Sequence, residues 1–149
     1  MNLKAILKSI LIVGALAALS GAAKAVKDTV SHHYSNSVFA KIGNEQYWNA
    51  DVSWKNKYKD YNNANIKPRF VLATTWLVSL TDAWHLFDML HRVFLIAAGI
   101  MGGIYAGRSG GLGWRYWQYA FYHYIYILVA GAVSFHVCYT YLFIVKSAI

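Results

Sequence analysis

Asp82, His85, Asp88 and His91 follow one another at helical spacing inside a strongly apolar stretch of the chain. Charged groups are costly at bilayer depth and normally face a cavity or a partner, so this run is the first place to look for function. Asp82 and His85 are three residues apart, and Asp28 and His32 four, so each pair can share one helix face. Imidazole nitrogen together with carboxylate oxygen suits Zn, Mn or non-haem Fe, and a metal so held would activate water. The expected ligands are His85, His136, His32 and Asp82. Asp82 could serve instead as a base, and Asp28 would orient the site, which makes these two acids the expected catalytic pair. The rival reading is structural: the same groups form interfacial hydrogen bonds and ion pairs with Lys24, Lys27 or Arg69. Asp88 drifts round the helix and can only support the site from outside. His91 and Arg92 carry less weight, and His123 lies on a different face from His136.

Other chemistries leave fainter traces. A b-type haem could take His85 and His136 as axial ligands from facing helices, but there is no second histidine pair and no haem-attachment motif. Neither His-Glu-x-x-His nor a Gly-x-Ser-x-Gly elbow occurs, so nucleophilic hydrolysis by serine is the least favoured of these readings. The run Gly110-Gly111-Leu112-Gly113 lacks a Walker lysine and reads as a turn.

The elements that must position these residues are helices in a membrane. Hydrophobic residues make up 58% of the chain and aromatic residues 17%, against 13% charged, more apolar surface than a soluble core of this size could hide. Residues 3–23 are almost unbroken apolar sequence, long enough to cross a hydrocarbon core of about 30 Å. They also resemble a secretory signal, with Ala23-Lys24-Ala25 as a cleavage-like triplet, although the helical pattern runs on through Val26 and Val30. A second helix is expected from Thr74 or Thr75 to about Gly107, and a third over residues 114–146 with aromatic residues at both ends. This predicts an all-α integral membrane bundle of three long helices forming a single domain, with residues 36–69 as an extramembrane loop or cap. A hairpin near His91-Arg92 would give four spans instead. In the three-helix arrangement Asp28, His32, Asp82, His85 and His136 fall at one level beneath the loop.

Fourteen basic residues against six acidic ones give a formal charge of +8, and because the bases flank apolar spans the expected partner is anionic lipid. Trp48, Trp54, Lys55 and Lys57 are the expected headgroup contacts, with aromatic bodies at the interface and amines toward phosphate. Nucleic acid is disfavoured, since this loop is tethered beside a membrane and also carries Glu45, Asp51 and Asp60. Gly99, Gly103 and Gly107 recur every fourth residue, which suits close packing of a neighbouring helix or a second copy of the chain. Nine bases around the loop, Lys146 among them, against four opposite favour a cytoplasmic loop, whereas a signal-like start favours the reverse. Cys138 stands alone, so there is no internal disulfide framework.

The strings Ser53-Trp54-Lys55-Asn56-Lys57-Tyr58-Lys59 and Thr81-Asp82-Ala83-Trp84-His85 resemble those of small uncharacterised bacterial membrane proteins. The resemblance covers about the middle third of the chain and supports this stretch as the place of interest without supplying chemistry; the expected location is the bacterial inner membrane. Two functions fit equally: a metal-dependent enzyme directed at lipid, and a non-enzymatic membrane scaffold or partner-binding subunit whose polar cluster locks helices together.

Overall fold

A computed structural model describes residues 3–61, 67–111 and 113–145 of the protein. It is all-α, and among the described residues the extended pairing amounts to two isolated antiparallel bridges, Ser37 with Ile144 and Tyr58 with Pro68. Three helices dominate: α1 (Leu3–His32), α5 (Ala83–Gly110) and α6 (Trp114–Val137), with the short helices α2 (Val38–Ile42), α3 (Glu45–Trp48) and α4 (Ala50–Ser53) in the long connection. Segments Ile6–His32, Ala83–Ser109 and Trp114–Phe143 are each long and apolar enough to cross a membrane. The chain is therefore an integral membrane protein. Side chains such as Leu95, Ile96, Ile100, Val129 and Val133 stay exposed, as suits spans whose solvent is hydrocarbon.

The second long helix starts later than its sequence suggests. Thr74 and Thr75 lie in a run of turns that includes Leu72 at φ 64°, and the helix begins only at Ala83, after Asp82. A carboxylate is a better N-cap than a threonine hydroxyl, and here its position decides the boundary. From there α5 runs unbroken through His91 and Arg92, so the bundle has three long helices and the four-span alternative does not hold. Its 28 residues span about 42 Å, still more than the hydrocarbon core requires. The third helix leaves α geometry at Cys138–Phe143 for a π-helical turn. Leu112 of the expected turn and Lys146 lie outside the described residues.

The chain divides into two compact units, Met1–Ala22 with His91–Phe135 and Ala23–Leu90 with His136–Ile149. In the first, Val13, Ala17, Ala98, Tyr105 and Ile127 form the buried core. Small residues bring α1 and α6 together: a Cβ added to Gly21 would sit 2.2 Å from the Gly131 carbonyl oxygen, and Ser134 Oγ donates to the Ala18 carbonyl at 2.7 Å. Ser20 Oγ donates to the His91 carbonyl at 3.0 Å, while His91 Nδ1 lies 3.1 Å from the Ser20 carbonyl, tying α1 to α5. Among the described residues, no neighbouring helix backbone lies within 4 Å of a Cβ built at Gly99, Gly103 or Gly107. A Cβ at Gly99 or Gly107 meets nothing within 4 Å, and one at Gly103 meets only the Tyr116 hydroxyl at 3.9 Å. Their four-residue spacing places them on one face of α5, which among the described residues only the Tyr116 hydroxyl approaches.

The second unit has an aromatic core of Val26, Val30 and Phe39, against which Trp48, Trp84, Phe87 and Phe143 pack. The Phe39 and Trp48 rings stack at 4.9 Å, and Phe143 lies 5.2 Å from Phe39. The connection folds over this core on its own hydrogen bonds. Asn49 caps α4 by accepting from Asp51 N at 3.1 Å, Asn56 Nδ2 donates to the carbonyls of Gln46 at 2.6 Å and Thr81 at 3.2 Å, and the Tyr58–Pro68 bridge closes a loop.

Candidate functional site

All five residues expected at one level, Asp28, His32, Asp82, His85 and His136, belong to the second unit. Within this set, Asp82 and His85 are in direct contact. Asp82 is the N-cap of α5: its carbonyl accepts from Leu86 N at 3.1 Å and its Oδ1 from His85 N at 3.0 Å, satisfying amides that the first helical turn leaves open. Oδ2 then lies 2.7 Å from His85 Nδ1 and 2.8 Å from the Thr81 hydroxyl. The Asp82 carboxylate thus caps the helix with one oxygen and meets the side chain of the third helical residue, His85, with the other. An Asp-x-x-His spacing therefore produces an acid–imidazole pair as a by-product of starting a helix.

The pair is closely held. Only 1% of Asp82 is exposed. Burial by itself pushes its carboxyl pKa up, but hydrogen bonds from the His85 ring, the His85 amide and the Thr81 hydroxyl, with the charge of His85, outweigh it and hold the group below the usual carboxylate value. The Tyr47 phenol is raised, first by burial and then by the Asp82 charge. The carboxylate fixes Nδ1 of His85 as the proton-bearing nitrogen and leaves Nε2 as the one available to a ligand.

The remaining acids pair with lysines. Asp28 bonds Lys24 one turn earlier on α1, and Asp88 bonds Lys27 at 3.0 Å, joining α1 to α5. Lys27 also lies 5.4 Å from the Trp84 ring. His32, the last residue of α1, is exposed. His136 is also exposed, with its ring 5.8 Å from that of Tyr141 and its Nδ1 3.4 Å from the Thr140 hydroxyl. The expected metal set of His32, Asp82, His85 and His136 is thus not assembled: among the described residues no three His, Cys, Asp or Glu side chains are placed to share an ion. Lysines within reach neutralise Asp28 and Asp88 locally, and the capping bonds commit both oxygens of Asp82.

Two cavities lie in this unit, and Asp82 lines one of them. One, of about 350 Å³, is lined by Ser31, Ala50, Asp51, Ser53, Trp54, Asp82, Trp84 and His85. In it the Ser53 hydroxyl is buried without a hydrogen-bond partner. The other, of about 430 Å³, is lined by Asn44, Gln46, Tyr47, Asn56, Tyr58, Lys59, Tyr61, Arg69, Leu80 and Thr81. Thr81 lines this second cavity and its neighbour Asp82 the first.

The expected headgroup residues occupy different places. Trp48 is part of the aromatic core, 6.2 Å from Phe87 as well as stacked on Phe39, so its ring is committed to packing. Trp54 is 40% exposed, and its Nε1 donates to the Asp51 carbonyl at 3.1 Å. Lys55 and Lys57 lie over aromatic rings, Lys55 at 5.4 Å from Tyr61 and Lys57 at 5.6 Å from Tyr58. The polar cavity instead takes its bases from Lys59, the last residue of the basic loop string, and Arg69, expected only as an ion-pair partner. Their clue is the alternation of aromatic, amide and basic residues across 56–61, which needed the Tyr58–Pro68 bridge before it became a concave surface.

Immediately before the cap, residues 70–80 expose Val71 (81%), Leu72, Trp76 (86%) and Leu80. These side chains precede a membrane span directly, and an amphipathic aromatic there belongs at the headgroup boundary. No family model, curated protein or solved structure matches this chain.

Proposed function

We propose that this integral membrane protein, in a bacterial inner membrane, binds the anionic headgroup of an amphiphile in the Lys59–Arg69 cavity. The observation that carries the reading is the lining itself: two bases with the amides of Asn44, Gln46 and Asn56 and the phenols of Tyr47, Tyr58 and Tyr61. Guanidinium and ammonium suit phosphate or carboxylate, and amides and phenols suit the hydroxyls of a polyol. The exposed apolar segment 70–80, whose Leu80 also lines the cavity, supports a location at the headgroup layer. The formal charge of +8 favours anionic over zwitterionic lipid.

A basic side chain near an anionic surface contributes on the order of 1 kcal/mol. Replacing both Lys59 and Arg69 with Gln should then lower retention of phosphatidylglycerol by about 10- to 30-fold. Native mass spectrometry of the detergent-purified protein measures this, with phosphatidylcholine as the control. Equal retention by wild type and double variant would overturn the reading. A second reading, a non-enzymatic scaffold, is favoured by the Lys27–Asp88 and Ser20–His91 contacts, which use ionisable and polar groups to join helices.

A further inference from the structure

Ser53 closes α4 and lies in the same cavity as the Asp82–His85 pair. Its side chain is 1% exposed, yet its hydroxyl has no hydrogen-bond partner. Buried hydroxyls are almost always satisfied, so an orphan in a cavity calls for an explanation. Lining the cavity with it are the His85 imidazole and the buried Asp82 carboxylate, 2.7 Å from His85 Nδ1; the same carboxylate accepts from Thr81, which lines the polar cavity. The Trp84 ring meets that of His85 edge-on at 4.9 Å.

We propose that Ser53, His85 and Asp82 form a nucleophile, base and positioning residue for cleavage of a carboxylic ester carried by an amphiphile. Triads of this kind are recognised by geometry and role, and no sequence elbow is required. Asp82 keeps the proton on Nδ1, so Nε2 is the basic nitrogen. In the free protein the Ser53 hydroxyl makes no bond to His85, and the two come into contact as substrate fills the cavity, a tightening common to such pairs. Ser53 Oγ attacks the ester carbonyl carbon while its proton passes to Nε2. Collapse breaks the bond to the alkoxy oxygen, which takes that proton and leaves as an alcohol. Water then attacks the acyl-serine, gives its proton to Nε2, and releases the carboxylic acid as the proton returns to Ser53.

The choice of an amphiphile rests on the headgroup reading, whereas the nucleophile does not, and the probe is chosen to separate them. An alkyl fluorophosphonate with no anionic headgroup is applied to the full chain in detergent, and the modified peptide is found by mass spectrometry. Wild type should be labelled at Ser53, and Ser53→Ala should abolish labelling while Ser31→Ala, in the same cavity, leaves it in place. His85→Ala should slow labelling by at least 100-fold. Ser53→Cys provides a second readout, because its thiol should react with iodoacetamide faster when His85 is present than in the Ser53→Cys, His85→Ala double variant. Unlabelled wild type, labelling that survives Ser53→Ala, label on Ser31, or rates indifferent to His85 would each overturn the proposal. Equal lipid retention by wild type and the Lys59, Arg69 double variant, with Ser53 labelling intact, would confine the failure to the headgroup reading.

Discussion

Removing the Asp82 carboxylate separates what this residue does for the helix from what it does for the imidazole. Asp82→Ala deletes the cap on the His85 amide, a loss of about 1 kcal/mol. It also deletes the bond to the His85 ring, and hydrogen bonds to a charged group are worth roughly 1.5–3 kcal/mol. The Thr81 hydroxyl loses less, because its single proton is shared with the Val78 carbonyl at 2.7 Å. The expected total is about 2–5 kcal/mol, while Asp82→Asn, which keeps an oxygen for the cap, should cost only about 1–2 kcal/mol. Native-state hydrogen exchange in detergent reads this directly, because the first turn of α5 opens locally. The His85 amide should exchange roughly 30-fold to several thousand-fold faster in Asp82→Ala. The pH dependence has a definite sign. The folded carboxyl lies below the usual carboxylate value, so its stabilisation is complete above that value and is lost as pH falls through the lower folded one. Wild type should therefore lose protection at α5 in acid, and Asp82→Asn should not. Unchanged exchange in Asp82→Ala, or equal damage from both substitutions, would refute the capping argument.

Two further outcomes follow from the packing. Gly21→Ala should destabilise the protein by about 1–3 kcal/mol or more, because its methyl would overlap the Gly131 carbonyl, while Gly99→Ala should be neutral or slightly stabilising; thermal unfolding in one detergent compares them, and equal effects would contradict the close contact. Replacing Lys27 and Asp88 singly and together should reveal a coupling of about 0.5–3 kcal/mol across α1 and α5, and strict additivity would mean that their 3.0 Å contact contributes nothing.

The three spans were legible because twenty or more apolar residues in a row have few alternatives to a membrane helix. The pairing of Asp82 with His85 was legible too, since a separation of three residues puts them together on any helix. The cap was harder to see. The apolar pattern around Asp82 suggests a helix interior, whereas a carboxylate in that position ends the preceding turn and starts the helix. Asp28 was assigned to a convergent site although Lys24, one turn away on the same face, offered a nearer partner. Distance along a helix axis could bring residues to a common level, but it could not say that Asp88 would reach Lys27. Ser53, Lys59 and Arg69 depended on the irregular connection, whose shape comes from the Asn56 bonds and the Tyr58–Pro68 bridge, neither of which has a period to read.

The π-helical turn at Cys138–Phe143 acts as a phase correction. A straight α-helix presents each residue about 100° further round, and a turn wound more loosely holds back roughly one residue's worth of that rotation. Phe143 meets Phe39 at 5.2 Å, and just beyond it Val145 N donates to the Asn36 carbonyl at 2.8 Å. In an uninterrupted α-helix the Phe143 ring would point elsewhere by about that angle. The chain thus sets the azimuth of its last aromatic residue by changing gear within six residues, and an insertion or deletion there would turn everything beyond it like a mistimed cam.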